Sequence, residues 1–223
     1  MSGPAEELQE RLVRALRTLD LADEVERAPL MLGYLAQLQH WNRAYNLTAV
    51  RDPSQMLVQH VFDSLAVVPA LRAYRKGSST AVADIGSGAG LPGIILGICE
   101  PGWTITCVDT VGKKAAFVRQ VAGVLGLANV RSVQARVESL ESLQADIVIS
   151  RAFASLADFV RVASHHCGPG GVMLAMKGQF PDTERAALES TTDWCVRRSL
   201  SLHVPEMEAQ RCLLELGPKE PND

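Results

Sequence analysis

Apolar positions recur at helical spacing through the first third of the chain. Over residues 6–19, leucine and alanine return every three or four positions with Glu and Arg between them, which predicts an amphipathic helix. A second apolar stripe over about 30–45 predicts a longer helix. Asp52-Pro53, an N-cap residue followed by proline, predicts the start of a third helix that continues to about residue 68. We therefore expect a helical cap over residues 1–76.

The hydrophobic period changes after residue 80. Short runs rich in β-branched residues now alternate with helical segments, which is typical of a parallel sheet with crossover helices. Two final runs on either side of Pro205 suit an antiparallel pair that closes the sheet. The predicted fold is an α/β domain over residues 77–218 with a mostly parallel seven-stranded sheet, followed by a frayed tail at 219–223. The predicted strands are 81–85, 103–108, 130–134, 145–150, 171–176, 194–202 and 211–217, and the predicted helices lie near 91–100, 112–126, 155–165 and 182–190.

Composition narrows the functional classes. At 223 residues, with 47% hydrophobic and 21% charged residues, the chain has the composition of a soluble globular protein with room for one α/β domain and an appendage. No apolar run reaches the length of a membrane span, and the first thirty residues are rich in charge. We therefore expect neither a signal peptide nor a membrane anchor.

Cysteines and net charge narrow these classes further. The five cysteines are widely spaced, with no C-x-x-C pair, so they fit a reducing cytoplasm and predict neither a disulfide nor a metal site. The net charge of −3 argues against avid, non-specific binding to nucleic acid. It is compatible with an enzyme that meets a structured RNA through a local patch.

The clearest chemical signal lies around the first predicted strand. Asp84 stands near the tip of this strand, and Gly86, Gly88 and Gly90 follow, which clears side chains from a tight turn so that backbone can approach a ligand. Leu91-Pro92 is expected to open the next helix, because proline is tolerated at the first helical position. A strand, a glycine turn and a helix N-terminus in this order predict a site for a nucleotide-type cofactor.

Two overlapping fingerprints in this turn favour different cofactors. Gly88, Gly90 and Gly93 fit the G-x-G-x-x-G pattern of dinucleotide sites. Asp84 with the first three glycines gives D-x-G-x-G-x-G, which resembles the first motif of Rossmann-like S-adenosylmethionine methyltransferases. An acidic residue before the glycines favours a cofactor with ammonium and sulfonium charges over one with a pyrophosphate. Asp109, at the end of the second strand, is expected to accept the ribose hydroxyls of either cofactor; the alternative is that it caps the next helix.

A more specific resemblance extends over most of the chain. Segments between about residue 34 and residue 178 resemble, in order, the motifs of bacterial small-subunit ribosomal RNA methyltransferase G, a family also called glucose-inhibited division protein B. One departure is Lys114, where the family often has arginine after the lysine. The segments are 41–50 (WNRAYNLTAV), His60, 63–65 (DSL), 91–93 (LPG), Asp109, 113–114 (KK), Phe117, 136–138 (RVE), 150–152 (SRA) and 177–178 (KG).

This resemblance implies a class I methyltransferase fold and a reaction. A methyl group would pass from S-adenosylmethionine to N7 of one guanosine in the decoding region of 16S rRNA. The implied cofactor site contains Gly86, Leu91, Val137, Glu138 and Arg151. Guanine N7 carries a lone pair and no proton, so its methylation needs orientation of the reactants and no general base. The chain lacks the Pro-Cys pair of cytosine C5 enzymes and the Asn-Pro-Pro-Tyr type motif of amine methylases, which agrees with that target.

Arg151 and Glu138 each have more than one interpretation. Arg151 closes the fourth strand, where it could anchor the cofactor carboxylate, contact an RNA phosphate, or pair structurally with Asp84 or Asp146. We favour a role in the site, as a positioning residue for catalysis. Glu138 follows the third strand and is expected on the adenine side of the cofactor, with Val137 packing on the ring. The alternative is a solvated glutamate at a helix start.

Basic residues near the carboxyl ends of the strands are the candidates for RNA contacts. Lys177 ends the fifth strand, and the ends of parallel strands point at the ligand crevice. For the basic residues on the helix after the second strand, an ordinary solvated face is an equal alternative. His60 could contact substrate or make an interhelical hydrogen bond. The candidates are His60, Lys113, Lys114, Arg119, Arg136 and Lys177.

Two other functional classes compete with a methyltransferase. A nicotinamide-dependent oxidoreductase would use the G-x-G-x-x-G pattern, but the chain has no Tyr-x-x-x-Lys pair. A non-catalytic RNA-binding or cofactor-sensing module would keep the same cofactor motif. With a net charge of −3 and no basic tail, we expect weak affinity for free RNA and a preference for 16S rRNA within the small ribosomal subunit. A cytoplasmic monomer is favoured.

Overall fold

The N-terminal part of the protein is helical, as the apolar spacing predicts. The computed structural model describes residues 3–75, 79–151 and 153–220. A 3-10 helix, Ala22–Arg27, joins the first two long helices. The α-helices of this part are α1 (Pro4–Thr18), α2 (Ala28–Tyr45), α3 (Pro53–Met56), α4 (Asp63–Leu65) and α5 (Val68–Arg72).

The predicted third helix is interrupted. Asp52 caps α3 as expected, since its carboxylate accepts the amide of Gln55 at 2.9 Å. A π-helical segment, Leu57–Phe62, then lies between α3 and α4, and the chain turns after Leu65 before α5 begins. The prediction of one continuous helix to residue 68 is therefore wrong. The apolar spacing hides the breaks because all of these segments pack on the same core.

Seven strands form one sheet in the order β3-β2-β1-β4-β5-β7-β6. β1 to β5 pair in parallel, while β7 is antiparallel to both β5 and β6. This confirms the predicted α/β fold with a mostly parallel seven-stranded sheet. The strands are β1 (Ala81–Ile85), β2 (Thr104–Asp109), β3 (Val130–Gln134), β4 (Ala145–Ser150), β5 (Cys167–Lys177), β6 (Trp194–Leu202) and β7 (Arg211–Pro218), and the helices among them are α6 (Gly93–Cys99), α7 (Gly112–Val124), α8 (Leu156–Ala163) and α9 (Asp182–Thr191).

The helical cap and one face of the sheet share a single hydrophobic core. Tyr34 of α2 is fully buried, and its hydroxyl donates to the carbonyl of Ala89 at 2.9 Å. Trp41 packs edge-on against Phe117 of α7, with ring centroids 5.6 Å apart. A smaller core lies on the opposite face of the sheet beneath α8. Residues on both sides of the predicted boundary at residue 76 thus pack together, and the two-part division stays a prediction.

The end of the chain is attached to the sheet domain as far as the structure describes it. The backbone amide of Lys219 donates to the carbonyl of Asp193 at 2.7 Å, and its ammonium group donates to the carbonyl of Thr192 at 3.0 Å. Residues 221–223 of the predicted frayed tail lie outside the described residues. Within the described ranges, no helix is long and apolar enough to cross a membrane.

Candidate active site

A cavity of about 390 Å³ opens at the carboxyl ends of β1, β2 and β3. Three stretches meet there because parallel strands end at one edge of the sheet. Gly86 follows β1, Asp109 ends β2, and Val137 with Glu138 follows β3. The volume lies in the range of sites for small molecules and cofactors.

The glycine turn gives this cavity a wall of backbone. Gly88 and Gly90 have φ angles of +59° and +79°, the left-handed region that glycine adopts without strain. A Cβ at Gly90 would meet Ile94 Cγ1 at 2.7 Å, so this position is closed by the packing of α6. A Cβ at Gly88 would meet no atom within 4 Å, so the backbone there borders open space. A ligand can approach the chain closely at Gly88.

Asp109 joins the glycine turn to the end of β2. Its carboxylate accepts the amide of Gly88 at 2.9 Å and the amide of Val111 at 2.8 Å, and Val111 directly precedes α7. Each carboxylate oxygen has a second lone pair, and the residue lines the cavity. Asp109 thus holds the residue before the next helix and also lines the cavity, and its contact with a ribose stays a prediction.

Asp84 lies beneath the turn rather than on the cavity wall. Side chains alternate along a strand, so Ala83 and Ile85 face the α8 core while Val82 and Asp84 face the opposite core. There Asp84 Oδ2 accepts the amide of Gly93 at 2.8 Å. Helix α6 begins at Gly93, two residues later than predicted, with Pro92 as its N-cap residue. Asp84 thus fixes the start of α6, and any effect on a ligand passes through the turn.

Burial raises the pKa of Asp84 to about 7. The residue is fully buried, and among the described residues its Oδ1 has no hydrogen-bond partner. In the unfolded chain this carboxyl would titrate near 3.8. Between these two values the folded protein holds the proton more tightly than the unfolded chain, so the free energy of unfolding falls as pH rises through this window.

Asp84→Asn is therefore expected to flatten the pH dependence of stability between pH 4 and pH 7. Asparagine keeps an acceptor for the Gly93 amide but has no charge to bury. The substitution removes a pH-dependent part of the free energy of unfolding that is on the order of 4 kcal/mol between the two pKa values of Asp84. Urea unfolding of both proteins without cofactor at pH 4, 6 and 8 measures it. Parallel pH profiles for the two proteins would contradict the assignment.

A short 3-10 helix, Val137–Ser139, forms the far wall of the cavity. Val137 is buried, whereas the carboxylate of Glu138 is exposed and pairs with Arg136 at 3.1 Å. A hydrogen bond from its own backbone amide and the neighbouring Arg136 lower the pKa of Glu138, so it is negatively charged at neutral pH. The wall is therefore apolar at Val137 and polar at Glu138.

His166 holds this wall in place and has no counterpart among the predicted site residues. Its Nδ1 accepts the amide of Leu143 at 3.2 Å, so Nε2 carries the proton and donates to the carbonyl of Val137 at 3.0 Å. Burial lowers the pKa of His166, which keeps the ring neutral. The contact spans 29 residues of sequence, and no spacing in the chain signals it.

A second cavity, of about 320 Å³, lies beside the first at the end of β4 and β5. Asp63 stands in its wall between two arginines. Asp63 Oδ2 accepts from Arg151 Nη1 at 3.1 Å, and Asp63 Oδ1 accepts from Arg211 Nε at 2.9 Å. Arg151 Nη1 also donates to the carbonyl of Gln59 at 3.2 Å. The ion-pair partner of Arg151 is thus Asp63, in place of the Asp84 or Asp146 considered from the sequence.

The two cavities adjoin through the ends of β1 and β4. Ser150 Oγ donates to the carbonyl of Ile85 at 2.7 Å. Gly86 directly follows Ile85 and lines the first cavity, and Arg151 directly follows Ser150 and lines the second. The linings of the two cavities therefore come together at Gly86 and Arg151, at the ends of neighbouring strands.

Comparison with known proteins identifies the family. A model of rRNA small subunit methyltransferase G matches residues 27–214. Ribosomal RNA small subunit methyltransferase G of Bordetella avium is 52% identical over 206 residues, which cover 92% of this chain and 91% of that protein. The Bordetella pertussis protein of the same name is 49% identical, over 99% of this chain and 96% of its own. The chain belongs to the rRNA small subunit methyltransferase G family. This confirms the resemblance read from the sequence motifs.

Solved structures confirm the predicted class I methyltransferase fold. A SAM-dependent methyltransferase from Aquifex aeolicus superimposes with a TM-score of 0.56 at 13% identity and covers 74% of this chain and 93% of its own. A SAM-dependent methyltransferase from Geobacter sulfurreducens, in complex with S-adenosyl-L-homocysteine, gives a TM-score of 0.51 at 14% identity, over 69% of this chain and 90% of its own. At these identities the likeness concerns the fold alone.

The family motifs are divided between the two cavities. Gly86, Val137 and Glu138 line the first cavity and Arg151 lines the second. Leu91 is buried beneath the glycine turn. Of the residues predicted to bind the cofactor, Gly86, Asp109, Val137 and Glu138 thus line the first cavity and Arg151 lines the second, and their binding roles stay a prediction.

The candidates for RNA contact are placed in three different settings. His60, Lys177 and Arg151 border the second cavity, whereas Arg136 borders the first. Lys177 Nζ also donates to the carbonyl of Phe153 at 2.8 Å. The remaining candidates, on α7, are Lys113, which donates to the carbonyl of Tyr45 at 2.7 Å, Lys114, 4.0 Å from Asp109, and the exposed Arg119.

Among the described residues, one of the two ring nitrogens of His60 makes a hydrogen bond and the other does not. Its Nε2 lies 2.9 Å from Oγ1 of Thr48, which stands in the loop between α2 and α3, so this hydrogen bond joins a loop to the π-helical segment and not two helices as considered from the sequence. Among the described residues, the buried Nδ1 has no hydrogen-bond partner. Burial and the nearby Arg151 lower the pKa of His60 to about 4, so the ring is neutral at physiological pH.

Proposed function

We propose that this protein transfers the methyl group of S-adenosylmethionine to N7 of one guanosine in the decoding region of 16S rRNA. It would act as a monomer in the cytoplasm, on rRNA within the small ribosomal subunit. The observation that carries the proposal is that the family's own motif residues surround two adjoining cavities at the carboxyl edge of a class I methyltransferase sheet. One cavity suits the cofactor and the other the target nucleotide.

The first cavity fits S-adenosylmethionine. The backbone at Gly88 borders open space, Asp109 has lone pairs for ribose hydroxyls, and Val137 offers an apolar surface for adenine. Glu138 adds an acceptor at the far wall. When bound, S-adenosylmethionine supplies a methyl group on a positively charged sulfur.

The residues of the second cavity are suited to orientation rather than to proton transfer. N7 of guanine needs no deprotonation, and Asp63 is already held between Arg151 and Arg211. His60 is neutral because of its lowered pKa. Correct placement of two reactants alone supplies about 7–11 kcal/mol of barrier reduction in favourable cases. Holding the guanine against the neighbouring cavity is therefore the main catalytic task of these side chains.

Gly88→Ala is expected to weaken binding of S-adenosylmethionine at least about tenfold. The new methyl group would stand in open space beside a backbone amide that donates to Asp109, a residue of the first cavity's wall. Gly126→Ala is the matched control, because Gly126 has a φ of +68° and open space around its Cβ position but ends α7 far along the chain from the turn. Both variants should lose about 1 kcal/mol of stability from the left-handed backbone. Calorimetric titration with the cofactor separates them, and equal affinities would contradict the placement.

Transfer of a labelled methyl group tests the substrate class. Small subunits from a strain that lacks this methylation should accept the label, whereas large subunits should not. Free 16S rRNA should accept it slowly, since a chain with a net charge of −3 attracts bare RNA poorly. Cofactor binding without label transfer to any RNA would favour a sensing module instead, and reduction of a nicotinamide cofactor would favour the oxidoreductase.

A further inference from the structure

We propose that Arg211 and Arg151, held side by side by Asp63, bind a phosphate group of the RNA strand next to the target guanosine. The proposal deepens the proposed function, on which it rests, and assigns a binding role to Arg211 on the last strand of the sheet. Arg211 comes from β7, Arg151 follows β4, and Asp63 begins α4. Three distant parts of the chain thus meet at one wall of the second cavity.

The geometry leaves both guanidinium groups with unused donors. Arg151 donates through Nη1 to Asp63 and to the carbonyl of Gln59. Arg211 donates through Nε to Asp63 and through Nη1 to the carbonyl of Gln210. Over residues 3–75, 79–151 and 153–220, Arg151 Nε and the Nη2 atoms of both arginines make no hydrogen bond. Because a guanidinium has five N–H donors in one plane, this pair presents a set suited to phosphate oxygens.

Asp63 is more deeply buried than Arg151 and Arg211, and this difference favours a ligand at the two arginines. The Asp63 side chain is 5% exposed, while those of Arg151 and Arg211 are each 28% exposed. The carboxylate is therefore enclosed and the guanidinium groups reach the cavity. Asp63 fixes the positions of both arginines before any ligand arrives, so little side-chain freedom is lost on binding.

The charges at this wall do not cancel. Two arginines meet one carboxylate, and Lys177 across the cavity is paired with Glu184 at 2.7 Å. An ionic cluster elsewhere in the protein, built on the buried Glu24 and Glu100, has as many acidic as basic members among the described residues and has a structural role. It joins the cap to the sheet domain. Its basic members are Arg27, Arg72 and Arg75, and its acidic members are Asp23, Glu24 and Glu100. Among the described residues that line the second cavity, the Asp63 cluster thus carries one more positive than negative charge, which favours an anion there.

A strand of RNA bound at this wall would have a path across the surface. A third cavity, of about 660 Å³, shares Gln59 and Arg211 with the second and continues past Ser54 and Gln55. At its far end Arg11 is paired with Glu206 at 2.6 Å, and Glu208 also lines this cavity, so the positive charge on the path lies at Arg211. Arg211 stands where the two cavities join. A phosphate at Arg211 would therefore connect the nucleotide in the second cavity with its neighbour in the third.

Arg211→Ala tests the proposal by binding rather than by methyl transfer. Affinity for fluorescent small ribosomal subunits, and for a single-stranded oligoribonucleotide, is measured over a series of salt concentrations. We expect Arg211→Ala to bind both about tenfold more weakly at low salt. A plot of log affinity against log salt concentration has a negative slope. In Arg211→Ala this slope should be less steep by about 0.7, the value for one lost phosphate contact on a single strand. Arg211→Lys keeps the charge and loses the planar fork, so it should keep the slope and recover only part of the affinity.

Arg185→Ala is the control variant, because it removes the same charge from an exposed pair with Glu189 on α9 and should leave affinity and slope unchanged. An unchanged salt slope in Arg211→Ala would overturn the proposal, as would an equal loss of affinity for S-adenosylmethionine, which would indicate a purely structural ion pair. If the wild type binds RNA with the expected slope but transfers no methyl group, the proposed function fails and the phosphate site stands.

Discussion

Arg151→Ala is expected to lower the rate of methyl transfer to small ribosomal subunits about 100-fold or more. Arg151 leaves β4 next to the glycine turn and is fixed by Asp63 at 3.1 Å and by the carbonyl of Gln59 at 3.2 Å. Without it the nucleotide in the second cavity loses its anchor beside the first cavity. Misplacement of a reactant by about 1 Å costs rates of this order. Single-turnover measurements with saturating subunits separate this loss from weaker binding.

The fold should survive this substitution. Asp63 retains its pair with Arg211 at 2.9 Å, so no buried carboxylate is left without a partner. Arg151→Lys should stay strongly impaired, because an ammonium group cannot bridge two acceptors and also present a planar fork. Arg185→Ala again serves as the charge-matched control. Full single-turnover activity of Arg151→Ala would show that Arg151 has only a structural role.

Among the ion pairs, the largest expected effect on stability at neutral pH concerns Arg72. This residue of α5 pairs with Glu24 at 2.6 Å and with Glu100 at 2.6 Å, and both carboxylates are nearly inaccessible to solvent. Their negative charge in turn raises the pKa of Arg72, against the effect of burial. Arg72→Ala would leave two buried carboxylates with one fewer partner each. Removal of one member of such a cluster costs about 3 kcal/mol or more.

Urea unfolding of Arg72→Ala measures this loss and also tests how the cap is attached. Glu24 lies in the cap and Glu100 follows α6, so the ion cluster crosses the boundary predicted at residue 76. Because the cap and the sheet share a core, we expect one cooperative transition at a lower urea concentration. Arg14→Ala, which breaks an exposed pair with Glu10, should change stability by less than about 0.5 kcal/mol. Equal effects of the two variants would contradict the structural role of Arg72.

The fold could be predicted from the sequence because its signals are local. Each strand is a short apolar run, each helix has its own period, and the glycine turn carries its conformation in its residue types. The alternation of side chains in β1 would also have placed Asp84 and Val82 on one face, away from Ile85. The breaks in the third helix could not be read, since apolar spacing continues across them.

The missed parts of the candidate site depend on contacts between distant residues. Asp63 and Arg211 are 148 positions apart, and His166 and Val137 are 29 positions apart. In the sequence Arg211 is one more polar residue at the start of a strand, and only the folded sheet brings it to the second cavity. Lys113 and Lys177 show the opposite case. Their charge and their positions in the sequence suit contact with RNA, yet in the structure both donate to backbone carbonyls. Their contact with RNA stays a prediction.

The position of the transferred methyl group tests the central proposal most directly. Small subunits from a strain that lacks the methylation are treated with the protein and labelled S-adenosylmethionine, and the 16S rRNA is digested for mass spectrometry. A second sample is reduced and treated with aniline, which cleaves RNA where guanine carries a methyl group on N7. We predict labelled N7-methylguanosine and one cleavage, in the decoding region. Label on another base or atom, or cleavage at many guanosines, would contradict the account.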